Sequence, residues 1–285
     1  MPNTEQKEDK KIYIQRFDPY SRFLHILVIT SFLTLAITGM TIKFSGVGAF
    51  QELSKLLGGY QVTGFLHRMA AIVTFIYFTL HIYYLLKKKK TEKLKIKDFI
   101  SGENTLLPRK HDIVEFRQTL KWFLGIGPRP EYGRWTYWEK FDYIAVFWGV
   151  AVIGFSGLIL WFPELFTTLG LPGWFINIAT IIHSDEALLA TGFIFTVHFF
   201  NTHFRPDKFP MDKVIFTGSV ELEELKYDRP REYEILVKNN ELDKLIVDPP
   251  RPGLVRAARI FGLTALTIGL ITIVLIIYSM IFLYR

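Results

Sequence analysis

Residues Ile176 to Arg205 read INIATIIHSDEALLATGFIFTVHFFNTHFR. The stretch is long and apolar enough to cross a bilayer, which takes ~20 mostly apolar residues. Yet it contains His183, Asp185, Glu186, His198 and His203. Ionisable groups at membrane depth are costly, so they face a bundle interior or serve a function. On an α-helix the 15-residue offset between His183 and His198 directs them within about 60° of each other and ~22 Å apart along the axis.

The same spacing recurs upstream. His67 and His81 are 14 residues apart, within ~40° on one face and ~21 Å along the axis. His25 precedes Gly39 by the same 14 residues. Imidazoles in register on separate spans, near both membrane surfaces, point to a column of two metal centres. Two stacked b-type haems are the natural occupants, since imidazole is a common haem ligand. A glycine at position 39 would let a flat macrocycle, or a neighbouring helix, approach the backbone.

Composition sets the class. Half of the 285 residues are hydrophobic and 26 are Phe, as expected of a membrane protein. Cysteine is absent. That excludes disulfides, covalently attached c-type haem and cysteine-held iron–sulfur clusters within this chain. The first 22 residues are polar and charged, without the pattern of a cleavable signal peptide. The net charge of +7 reflects basic loops, including Lys88–Lys90, that fit anionic lipid and not nucleic acid.

Five spans are expected: Ser21–Phe44, Thr63–Leu86, Phe141–Pro163, Ile176–Phe204 and Leu254–Leu283. Residues 1–22 hold five Lys and Arg, 88–140 hold thirteen and 206–255 hold eight. The opposite connections hold Lys55 and, for Glu164–Phe175, none. The positive-inside rule therefore puts the N-terminus in the cytoplasm and the C-terminus outside. The expected class is an all-α integral membrane protein. A cytoplasmic segment (1–20) leads into a four-span di-haem bundle (21–205, with a cytoplasmic loop at 88–140). A cytoplasmic insertion (206–253) and a fifth transmembrane helix (254–285) follow.

Between the spans, Asp112–Leu124 has apolar residues at helical spacing and suits the membrane surface. Glu131–Lys140 is rich in interfacial aromatics, an aromatic belt or a lid over a quinone pocket. Gly149, Gly154 and Gly157 favour close helix or cofactor contact. In the insertion, Glu221–Leu225 and Arg231–Leu245 read as short helices. The segment is too small for a large core of its own and is expected to dock on the bundle or a partner. His203 lies ~140° around an α-helix from His198, which sets it apart from the column. His111 reads as a solvated loop residue. Asp185 and Glu186 fit either a proton acceptor or a partner-docking role.

Taken together, Arg22-x-x-His25 with Thr38-Gly39, Leu66-His67-Arg68, Gly154-x-x-Gly157-Leu158-x-Leu160-Trp161-x-Pro163, Ile182-His183 and His198 resemble the membrane cytochrome b (gamma) subunits of respiratory formate dehydrogenase and the hydrogenase cytochromes b. The resemblance covers the first four spans. It implies an outer haem on His67 and His183 and an inner haem on His25 and His198. Arg68, beside His67, fits either a haem propionate near the outer surface or a side chain that snorkels to the headgroups. The resemblance also implies a quinone pocket beside the inner haem near Tyr132–Lys140, which includes Gly133, Arg134 and Lys140. The implied function is respiratory electron transfer between the quinone pool and an outer-face redox subunit, either a multihaem cytochrome c or an iron–sulfur protein. His81 competes with His25 for the inner iron. The pairs His67/His81 and His183/His198 are similar to the spacing in the cytochrome b of quinol–cytochrome c oxidoreductases. The unused histidine would serve a propionate, a quinone or a third haem. The rival function is a colourless anchor or proton-conducting bundle that recruits a peripheral enzyme.

Overall fold

Asp18 and Pro19 start the first long helix. The Asp18 carboxylate accepts from the Ser21 backbone N–H at 2.9 Å, and Pro19 occupies the first helical position, where no N–H is needed. The helix then runs unbroken from Pro19 to Lys43. Its hydroxyls stay satisfied in apolar surroundings by folding back: Ser31, Thr34, Thr38 and Thr41 each donate to the carbonyl four residues earlier. In this computed structural model, which describes residues 11–283, four more helices are long and apolar enough to cross a membrane. They are Tyr60–Thr91, Tyr137–Trp161, Phe175–Phe204 and Pro252–Leu283. All five expected spans are present; they start one to four residues earlier than expected, and the first and third also end one or two residues earlier. Residues 1–10 of the N-terminal segment lie outside the described residues.

The first and second spans form the main helix pair, and the third and fourth pack beside them. The fifth span is part of this bundle. Its Ile273 joins Ala36, Phe195 and Phe199 in one cluster, and its Ile276 joins Met40, Phe44, Val47 and Phe50 in another. Gly269 permits that approach. A Cβ there would stand 2.4 Å from the Phe199 ring, so any larger residue would force the helices apart.

Three spans depart from α-helical winding. Val150–Gly154 in the third, Ile194–His198 with Phe200–Phe204 in the fourth, and Ser279–Leu283 at the end of the fifth are π-helical. Such wider turns are uncommon and cluster at functional sites.

The soluble segments fold onto one end of the bundle, the end that carries the N-terminus. Strand β1 (Tyr13–Gln15) pairs antiparallel with β2 (Ser219–Glu221) on one side and β3 (Ile246–Val247) on the other. The sequence gives no period-2 signal for strands this short, and the sheet is an addition to the all-helical expectation. Ile14, Val220, Leu225 and Leu236 form its small core. The first expected insertion helix occurs as Leu222–Asp228, while the second is shorter than expected, Pro230–Lys238, because the chain turns at Asn239–Asn240, where Asn240 has a positive φ. Around them runs an ion-pair network. Glu232 pairs with Arg16 and with Arg134 at 2.8 Å, Asp228 with Arg129 at 2.9 Å, and Glu139 with Arg229 at 2.9 Å. The insertion thus docks on the chain's own N-terminus and on the 88–140 loop.

Candidate haem-binding site

The far layer, away from the N-terminus, is built on four helices. Thr38 and Gly39 of the first span face His67 of the second. The Thr38 hydroxyl, which already donates to Thr34, accepts from His67 Nδ1 at 2.9 Å. A Cβ at Gly39 would sit 3.2 Å from His67 Cε1. Gly39 therefore makes room for the imidazole itself. Gly157 does the same for His183, where a Cβ would lie 2.9 Å from Cε1. His183 Nδ1 donates to the Ile153 carbonyl at 2.9 Å, within the π-helical stretch.

The His67 and His183 rings face one another with centroids 6.1 Å apart and planes at 80°. Two imidazoles sharing one metal, at ~2 Å from each nitrogen, place their ring centres about 6 Å apart. With Nδ1 of each ring bound to an oxygen acceptor, Nε2 is the nitrogen left to meet a metal. A ligating histidine ordinarily holds its other nitrogen in this way. The far layer fits a bis-imidazole iron.

The near layer holds His25, His198 and His203. His198 Nδ1 donates to Asp142 Oδ2 at 2.8 Å, which again leaves Nε2. His25 and His198 lie within electrostatic reach of one another. His25 packs edge-on against Phe216, at a centroid distance of 6.3 Å. Phe216 belongs to the insertion, and its carbonyl accepts from Arg22 Nε at 2.8 Å. The Arg22-x-x-His25 pattern thus couples the insertion to the near layer, a role that spacing alone does not reveal.

His81 is arranged differently. Its Nε2 is hydrogen-bonded to the Tyr143 hydroxyl at 3.0 Å, and its ring lies among Tyr143 and Phe147.

His203 differs from its expected place. The ~140° offset assumed α-helical winding. The chain winds as a π-helix from Phe200 to Phe204, and i→i+5 winding brings residues five apart toward one face. His203 is buried, donates from Nδ1 to the Pro210 carbonyl at 3.2 Å, and lies within electrostatic reach of His198.

The remaining candidates are distributed as follows. Arg68 lies over the Trp161 ring at 5.9 Å, at the far end of the bundle. Asp185 pairs with Lys43 at 3.0 Å, and Glu186 accepts from Trp148 Nε1 at 3.3 Å. Lys140 is buried in an ion pair with Asp112 at 2.8 Å. Arg134 holds Glu232 and the Arg16 carbonyl. A Cβ at Gly133 would stand 2.8 Å from Arg231 Nη2, so this glycine makes room for the guanidinium. His111 contacts Arg231 at the surface. Asp142 and Tyr143, the neighbours of two candidate histidines, are the site residues that sequence reasoning missed. Their position just inside the start of an apolar span was the available signal.

An apolar five-span bundle with Nδ1-tethered imidazoles in each of two layers defines the class: a membrane cytochrome b. The model of the prokaryotic cytochrome b561 family matches residues 16–205, about two thirds of the chain, and the protein belongs to that family. It is a prokaryotic multi-pass membrane subunit that binds two b-type haems and carries electrons between the quinone pool and a partner redox enzyme. A colourless anchor or proton-conducting bundle does not fit this membership. No curated protein matches the chain. The family match ends at Arg205, where the fourth span ends, so the insertion and fifth span lie beyond it.

Proposed function

We propose that His67 and His183 hold the outer haem and that His25 and His198 hold the inner one, with the N-terminus in the cytoplasm. The observation that carries this reading is the far-layer pair, with rings 6.1 Å apart and each Nδ1 fixed by an oxygen acceptor. In the near layer, the tether from Asp142 favours His198 as a ligand. His25 is preferred to His81 because the Nε2 of His81 is already engaged by Tyr143. Bound haem supplies the one-electron redox chemistry, and the protein supplies position and tuning.

The quinone is assigned to the cytoplasmic side at the start of the third span, between Gly133–Lys140 and the His81–Tyr143 pair. The partner is assigned to the outer face, as a multihaem cytochrome c or an iron–sulfur subunit. The charge pattern of the loops supports this orientation. Lipid contact is supported by helix Lys110–Phe123, which buries Asp112, Glu115 and Thr119 against the protein and turns Ile113, Phe116, Leu120 and Phe123 outward.

The test is reduction of the purified protein by a short-chain quinol, followed at the α-band. Haem reduction is expected in the native protein and in Arg68→Ala. Loss of one haem each is expected in His183→Ala and His198→Ala, with different bands surviving. A native protein that is not reduced by quinol would contradict the quinone assignment. The same band surviving in both variants would contradict the two-layer ligand set.

A further inference from the structure

Each tethered imidazole has a different kind of acceptor. In the far layer both acceptors are neutral, the Thr38 hydroxyl and the Ile153 carbonyl. In the near layer the acceptor is a carboxylate, Asp142, at 2.8 Å from His198 Nδ1. The other carboxylate oxygen, Oδ1, is buried and has no hydrogen-bond donor among the described residues. Asp142 is two residues past Lys140, but that lysine is turned away and bound to Asp112. The imidazole is thus the partner on which the Asp142 carboxylate acts.

We propose that Asp142 is a positioning residue for the near-layer haem: it fixes His198 with its proton on Nδ1 and makes Nε2 the stronger axial donor, so that this haem has the lower potential of the two. The proposal rests on His198 being a ligand. A charged acceptor makes a hydrogen bond roughly twice as strong as a neutral one. A carboxylate behind a ligating histidine also raises the basicity of the ligand. A more basic axial donor stabilises the oxidised, more positive iron over the reduced one, and the potential falls. Among the described residues no carboxylate stands behind either far-layer ring, so the bundle carries a built-in difference between its two haems. Electrons entering from a quinol beside the near layer would then run downhill to the far layer, which favours quinol oxidation over quinone reduction.

The experiment is a potentiometric titration of the membrane-embedded protein at the α-band, with electron paramagnetic resonance of the oxidised haems. Asp142→Asn keeps an oxygen acceptor but removes the charge, and Asp142→Glu keeps the charge. In Asp142→Asn the lower midpoint is expected to rise toward the higher one, which stays put, and one low-spin signal shifts. Asp142→Glu is expected to restore the gap. Unchanged midpoints in Asp142→Asn, with both haems present, would overturn the proposal. If Asp142→Asn loses one haem, retention in Asp142→Glu supports the positioning role and equal loss in both overturns it. Failure of the underlying ligand assignment reads differently, because His198→Ala would then keep two haems per chain.

Discussion

Replacing Gly157 with alanine should cost the protein its far-layer haem while leaving the other in place. The new Cβ would stand 2.9 Å from His183 Cε1 and 3.2 Å from Nδ1. The ring cannot retreat freely, because Nδ1 is bonded to the Ile153 carbonyl at 2.9 Å on the same helix as Gly157. Overpacking of this kind costs about 1–3 kcal/mol, and a lost hydrogen bond adds about 1 kcal/mol. At about 1.4 kcal/mol per tenfold, the far-layer haem should be held roughly 30-fold to 1,000-fold less tightly. Gly149→Ala is the control, since a Cβ there meets only Ile153 Cδ1 at 3.8 Å. It should be neutral or gain up to about 1 kcal/mol from helix propensity. Haem loss to an excess of apo-globin, followed at the Soret band, measures the difference. Equal and slow loss from Gly157→Ala and Gly149→Ala, with unchanged spectra, would refute the placement of His183 against Gly157.

Three further outcomes follow from the soluble cap and the second span. Lys140→Met should leave Asp112 buried without its partner at a cost of about 3–5 kcal/mol, seen as rapid proteolysis of the 88–136 loop, and Asp112→Leu in the same chain should recover much of it. Burial pushes the Glu232 carboxyl up, but the charges of Arg16 and Arg134 more than reverse this and hold it below its ordinary 4.5. Its stabilising effect is therefore present above about pH 4.5 and lost as pH falls through the lower folded value; proteolysis of the insertion should rise there, and Glu232→Gln should remove that acid step. Tyr143→Phe removes the partner of His81 and not an axial ligand, so two haems per chain should remain by pyridine haemochrome.

Much of this bundle was legible in the sequence because apolar length is a strong signal. All five spans appear where hydropathy places them, and His67 and His183 meet as the helical registers require. Three features were not legible. The sheet joins strands of two or three residues separated by about 200 positions, and nothing local marks so distant a pairing. The π-helical winding near His198 and His203 has no composition signature, and it alters the angle that α-helical geometry assigns to His203. The carboxylate behind His198 comes from the third span, so no spacing within the fourth points to it. Conversely, Gly133, Arg134 and Lys140 were singled out as a polar group near the quinone side, while their packing belongs to the ion-pair network of the cap.

The most direct measurement is the number of haems per chain, by pyridine haemochrome, in His25→Ala and His81→Ala compared with the native protein. Two haems are expected in the native protein, one in His25→Ala and two in His81→Ala. Two haems retained in His25→Ala with one lost in His81→Ala would contradict the ligand set and move both near-layer ligands onto the second and fourth spans.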